Sequence, residues 1–123
     1  MNPEHSLRAR RVAQSIKKTV TDFLSRDVSD PVLSEVAVTE VELTADLGIA
    51  TVKARLYVGG DDEERRRRAL RGLARIGGRL RKTLGRSLRL KRVPELRFVY
   101  DVGADATERV QKILSEIESE KRR

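Results

Sequence analysis

The stretch "RALRGLARIGGRLRKTLG", Arg68 to Gly85, decides how the chain folds. Leu70, Leu73, Ile76, Leu80, Leu84 and Leu88 recur every three or four residues, the spacing of one apolar helix face. Yet Gly77 and Gly78 sit in its middle, and each glycine in a helix interior costs about 1 kcal/mol relative to alanine. The glycines therefore predict a break between two helices, or a place where bare backbone is needed.

To the N-terminal side, "GGDDEERRRRALRGLARI" opens a helix with acids in its first turn and arginines further on, the order the helix dipole favours. Before it, "EVAVTEVELTADLGIATVKARLYV" reads as two strands joined at Ala45 to Gly48. The second strand alternates, with Ala50, Val52, Ala54, Leu56 and Val58 on one face and Thr51, Lys53, Arg55 and Tyr57 on the other. The first changes phase between Val38 and Val41, which predicts a bulge near Thr39 and Glu40. Residues 7 to 28 place Val12, Ile16, Val20, Phe23 and Leu24 on one helical face, and Pro31 ends that helix before "SDP".

On the other side, Arg79 to Leu88 is helical again. "PELRFVYDV" is a third strand with Leu96, Phe98, Tyr100 and Val102 on one face. Asp105 and Glu108 resemble a capping pair for a last amphipathic helix carrying Val110, Ile113, Leu114 and Ile117. The predicted order is helix, strand, strand, helix, helix, strand, helix. Three strands with helices packed on one face make a small α+β sandwich. At 123 residues the chain is read as one domain, with short flexible ends at about 1–6 and 118–123.

Without cysteine the chain holds no disulfide and no thiolate metal site. Neither a secretory signal nor a membrane span fits, so a soluble cytoplasmic protein is expected. The only histidine, His5, lies near the terminus, and the glycines supply neither of the usual nucleotide-phosphate loops. Asp61, Asp62, Glu63 and Glu64 suit a helix start better than a calcium loop, and Asp30 and Asp46 suit turns. No active site, metal centre or cofactor is expected.

Charge is the feature that rises above background. The formal net charge is +8, and from Arg65 to Arg92 there are thirteen basic residues and no carboxylate. Arg68, Arg71, Arg75, Arg79, Lys82, Arg86 and Arg89 form a single stripe on a continuous helix, set opposite the leucines. The modest apolar face, without an aromatic, argues against a membrane-surface helix. A phosphate backbone is the better ligand, and Tyr57 alone looks placed to stack on a base. Lys53 and Arg55 form a second, weaker patch.

These residues resemble the ribosome-binding factor A family, from "RVAQSIKKTVTDFLSRDVSDP" through "VTEVELTADLGIATVKARLYV" to "ALRGLARIGGRLRKTLGRSLRLKRVPELRFVYD" and the final helix. The resemblance implies a KH-like fold of the prokaryotic type, in which a kinked helix pair with an Ala-x-Gly motif replaces the G-x-x-G loop. In register, the kink falls at Ile76-Gly77-Gly78, with isoleucine in the alanine's place. It also implies binding to the small (30S) ribosomal subunit at 16S ribosomal RNA and help in late maturation, including 5′-end processing. The family implies no enzyme activity, a monomer, and release by an assembly GTPase.

The candidate phosphate contacts are Arg75, Arg79, Arg81, Lys82, Arg86, Arg89, Lys91 and Arg92, with Gly77 and Gly78 letting backbone approach the RNA. Arg81 lies off the main stripe, a place that also suits a structural anchor. The competing readings are a general nucleic-acid binding module not specific to ribosomes, and a protein interaction domain whose arginines are merely solvated.

Overall fold

The computed structural model describes residues 7–122. Helix α1 (Leu7–Arg26) is followed by strands β1 (Val36–Leu43) and β2 (Ile49–Leu56), helix α2 (Glu63–Leu88), strand β3 (Glu95–Tyr100) and helix α3 (Val102–Lys121). The sheet order is β1-β2-β3, with β1 and β2 antiparallel and β3 parallel to β2. A parallel neighbour requires a long crossover, and α2 supplies it. This is the expected α+β fold of KH-like type. His5 and the expected loose end at 1–6 lie outside the described residues.

The alternation read in β2 holds from Ala50 to Leu56, where Ala50, Val52, Ala54 and Leu56 are buried and the residues between them half-buried; Val58, expected on the same face, lies past the end of the strand and is exposed. Ile16, Val20, Phe23 and Leu24 of α1 meet that face together with Leu73, Ile76, Leu80 and Leu84 of α2. The bulge is also found where expected, as a register shift between Val38 and Glu40. It has a consequence that the pattern of residues did not show. The Thr39 hydroxyl, at the shift, donates to Asp101 Oδ2 at 2.6 Å and so ties β1 to the start of α3.

The first correction concerns the glycines. The two helices expected on either side of Gly77-Gly78 are one unbroken helix, α2. Two interior glycines cost about 2 kcal/mol together. Against that, burying Leu73, Ile76, Leu80 and Leu84 contributes about 1.5–3 kcal/mol for each side chain, so packing outweighs propensity. The Asp62 carboxylate caps the helix, accepting from the amides of Glu64 and Arg65 at 2.9 and 3.4 Å.

Packing does not demand the missing side chains. A Cβ at Gly78 would meet nothing within 4 Å, and one at Gly77 would make an ordinary contact of 3.8 Å with Phe98. Gly78→Ala is therefore expected to raise stability by about 0.5–1 kcal/mol, read as a higher urea midpoint at unchanged slope. A fall in the midpoint would mean that the helix is distorted at this point.

The second correction concerns the C-terminal helix. It starts at Val102 and not after a pair at Asp105 and Glu108; its cap is Asp101, which accepts from the Ala104 amide at 3.0 Å. The Thr39 hydroxyl and that amide hold the Asp101 carboxyl below its ordinary range. Val102, expected on the β3 face, is instead an exposed first residue of α3. Asp105 accepts from Arg55 Nε at 3.1 Å and from the Tyr100 hydroxyl at 2.6 Å, and Glu108 pairs with Arg55. These contacts hold α3 at its root only. Val110, Ile113, Leu114 and Ile117 are 44–59% exposed, so this helix does not join the other two against the sheet. It runs as far as Lys121, through most of the stretch expected as a loose end from 118.

Candidate nucleic-acid interface

The cationic stripe predicted from spacing lies along α2, but the fold divides it into two unlike halves. In the first half nearly every guanidinium is engaged. Arg65 pairs with Glu35, and Arg66 donates to the Gly60 carbonyl with its guanidinium 4.8 Å from the centroid of the Tyr100 ring. Arg67 and Arg71 pair with Glu63 and Glu64 of the same helix, at 3.6 and 3.1 Å. Arg75 lies 3.6 Å from Asp30, and Arg79 donates to the Asp27 carbonyl at 2.9 Å while covering the Phe23 ring at 5.2 Å. Only Arg68 in this half lacks such a partner among the described residues.

The second half is different. Lys82, Arg86, Arg89, Lys91 and Arg92 are exposed, and among the described residues none has a side-chain hydrogen bond or ion pair. Surface ion pairs are individually weak, so the cations of the first half are not locked. Their charge is nonetheless offset by paired groups, whereas among the described residues the second half makes no ion pair and meets the longer-range charge of Asp46, at Arg92. Field strength at the surface should therefore be greatest at the C-terminal end of α2 and in the loop beyond it.

Three candidates change role in consequence. Arg81 is an anchor: Nε and Nη2 donate to the carbonyls of Pro94 and Val93 at 3.3 and 3.2 Å, fastening the loop before β3 to the helix. Arg79 joins α2 to α1, and Arg75 joins it to the turn at Asp30. Gly77 is half-buried beside Phe98, while Gly78 is exposed, one turn from both Arg75 and Lys82. Among the glycines of α2, Gly78 alone is exposed beside the stripe.

The second patch dissolves. Lys53 is paired with Glu42 at 2.9 Å and Glu40 at 3.6 Å, and Arg55 is held by Asp105 and Glu108. The Glu42 carboxylate raises the Lys53 ammonium above its ordinary range, as expected for a paired cation. Tyr57 is 64% exposed, in keeping with a ring available for stacking, with the Arg55 guanidinium 6.0 Å from its centroid.

Arg8, Arg10 and Arg11 are exposed at the start of α1, and sequence reasoning did not select them. A signal for them was present. Cations in a first turn oppose the helix dipole, and this first turn has no acid to offset them. Among the described residues no cluster of histidine, cysteine, aspartate and glutamate gathers to hold a metal, and no helix is long and apolar enough to cross a membrane.

Comparison with known proteins gives concordant matches. A family model described as ribosome-binding factor A covers residues 8–114. A ribosome-binding factor A from Sorangium cellulosum is 43% identical over 110 residues, spanning 89% of this chain and 88% of its own length. The crystal structure of ribosome-binding factor A from Thermus thermophilus superposes with a TM-score of 0.62 at 28% identity, over 73% of this chain and 92% of that one. A solution structure from Thermotoga maritima gives 0.64 at 28% identity, over 76% and 86%. A homology model of the Thermus thermophilus factor, fitted into a cryo-EM map of a 30S complex, gives 0.60 at 26% identity, over 74% and 92%.

Proposed function

The chain belongs to the ribosome-binding factor A family, and from that membership we propose that it binds the free small ribosomal subunit through 16S ribosomal RNA. In this reading it assists late maturation of the subunit, including processing of the RNA's 5′ end. It acts as a single-domain, monomeric binding factor in the cytoplasm, with no catalytic residue of its own, and an assembly GTPase releases it.

The observation that carries the reading is the unpaired half of the stripe. Lys82, Arg86, Arg89, Lys91 and Arg92 present cations that make no ion pair among the described residues, a surface suited to polyphosphate. Neutralising phosphates releases counterions, so binding should weaken steeply as salt rises. A relative with the same fold that was fitted into a 30S complex supports the choice of partner.

The test is migration on a density gradient at moderate salt. The protein is expected to move with free small subunits and not with complete ribosomes. Equal partition between them, or stronger retention by duplex DNA at matched salt, would replace this reading with a general nucleic-acid binding module.

A further inference from the structure

Where the start of α1, the β1–β2 turn and the loop after α2 meet, the surface forms an open cleft of about 700 Å³. Arg8, Arg89, Lys91 and Arg92 line it, together with Leu47 and Leu90. The one carboxylate among its lining residues is Asp46, so four cations face a single anion. That anion is committed to the turn: Asp46 Oδ1 accepts from the Thr44 hydroxyl at 2.7 Å and from the Gly48 amide at 2.9 Å. Among the described residues none of the four cations makes a side-chain ion pair or hydrogen bond; the Asp46 carboxyl, held below its ordinary range chiefly by the Thr44 hydroxyl, also feels the charge of Arg92.

Two further observations converge on the same place. Leu47, with φ 60°, and Arg89, with φ 51°, are the only non-glycine residues of positive φ among the described residues, and both line this cleft. Arg89 takes this conformation as the left-handed C-cap of α2, and Leu47 takes it in the β1–β2 turn, where its amide donates to the Thr44 carbonyl at 2.8 Å, so the two bends set the rim of the cleft. Cations in the first turn of α1 oppose the helix dipole, and among the described residues nothing pairs with Arg8.

The dimensions and lining narrow the ligand. A volume of about 700 Å³ lies within the range of about 300–1,000 Å³ typical of small-molecule sites and suits one nucleotide. Arginine forks match phosphate oxygens two at a time. Leu47 and Leu90 offer apolar surface to a base or ribose. No side chain in the lining besides the committed Asp46 could accept from a base edge, so any reading of the base here is limited to its acceptor groups, to which arginine and lysine donate.

We propose that this cleft holds one nucleotide of a single-stranded RNA segment, its flanking phosphates on Arg8, Arg89, Lys91 and Arg92 and its base against Leu47 and Leu90. The proposal deepens the RNA-binding reading and rests on it. It places the defined contact at the far end of α2, about 15–20 Å from the glycines by helix rise, with the α2 face adding diffuse attraction.

The test follows backbone amides of the full chain by NMR while adding a short single-stranded uridine oligonucleotide, a duplex RNA of the same length, or inorganic phosphate. The expected result is saturable shifts at residues 45–48 and 89–92 with the single strand, reduced at least tenfold in affinity by Arg8→Ala with Arg92→Ala at unchanged melting temperature. Shifts confined to residues 78–86, with that variant binding normally, would overturn the cleft while leaving the α2 face as the RNA site. Equal shifts with phosphate or duplex would overturn the nucleotide assignment. Retained small-subunit binding without any oligonucleotide shift would also overturn it, whereas loss of both would refute the RNA-binding reading itself.

Discussion

Replacing Lys82 and Arg86 with glutamate is expected to weaken binding to free small subunits by roughly a hundredfold or more at moderate salt, since two phosphate contacts become two repulsions. Both side chains are exposed and make no ion pair or hydrogen bond among the described residues, so the fold should not notice the change. Surface substitutions of that kind stay within about 0.5 kcal/mol, and the melting temperature of the variant should match the parent. The measurement is co-sedimentation alongside a melting curve. Undiminished co-sedimentation would remove the C-terminal half of α2 from the interface. Arg79 is unsuited to such a test. Its ties to Asp27 and Phe23 would confound lost binding with a loosened α1–α2 contact.

Leu80→Ala is expected to give the largest loss of stability. Leu80 is fully buried, one turn beyond the glycines, within the cluster formed by α1, α2 and the sheet. Truncating such a leucine removes its transfer free energy and leaves a cavity, a loss of about 2–5 kcal/mol. For a chain of this length that corresponds to a fall of roughly 8–20 °C in melting temperature. The position matters because alanine is a better helix former than leucine. A large loss would therefore show that burial, and not propensity, carries α2 across Gly77 and Gly78. A loss below about 1 kcal/mol would indicate that the helix holds itself together there, contrary to the packing argument.

That contrast explains what the amino-acid sequence disclosed and what it withheld. The β2 alternation and the phase change near Thr39 were legible because both are local, set by which of two faces a side chain takes. The break at the glycines was overestimated because propensity is also local, while the burial that overrides it comes from α1 and the sheet. The last helix shows the opposite limit. Val110, Ile113, Leu114 and Ile117 announce an apolar face, but periodicity cannot say whether the fold supplies a partner, and here it supplies none. Its cap was read four residues late, at Asp105, because Asp101 is defined as much by Thr39 as by its own helix.

The site divides along the same line. Spacing alone placed the stripe on α2, since helical geometry depends only on residue number. The division into engaged and unpaired halves depends on Glu35, Asp30 and Asp27, which lie 30 to 52 residues away in the chain. No pattern within Arg65 to Arg92 reports on those partners. Arg8 carried a local signal, as a cation in a first turn without an acid, but only the fold brings the start of α1 beside the loop after α2.

The central claim is that the unpaired cations, and not the stripe as a whole, bind the ribosomal RNA. Its most direct test is the salt dependence of small-subunit affinity in two variants of equal charge, Lys82→Gln with Arg86→Gln and Arg67→Gln with Arg71→Gln. Each phosphate contact contributes about 0.7–0.9 to the slope of log affinity against log salt. The first variant is expected to flatten that slope by about 1.4–1.8 units, from two lost contacts, and the second to leave it close to the parent value. Equal flattening in both, or flattening in the second alone, would contradict the account.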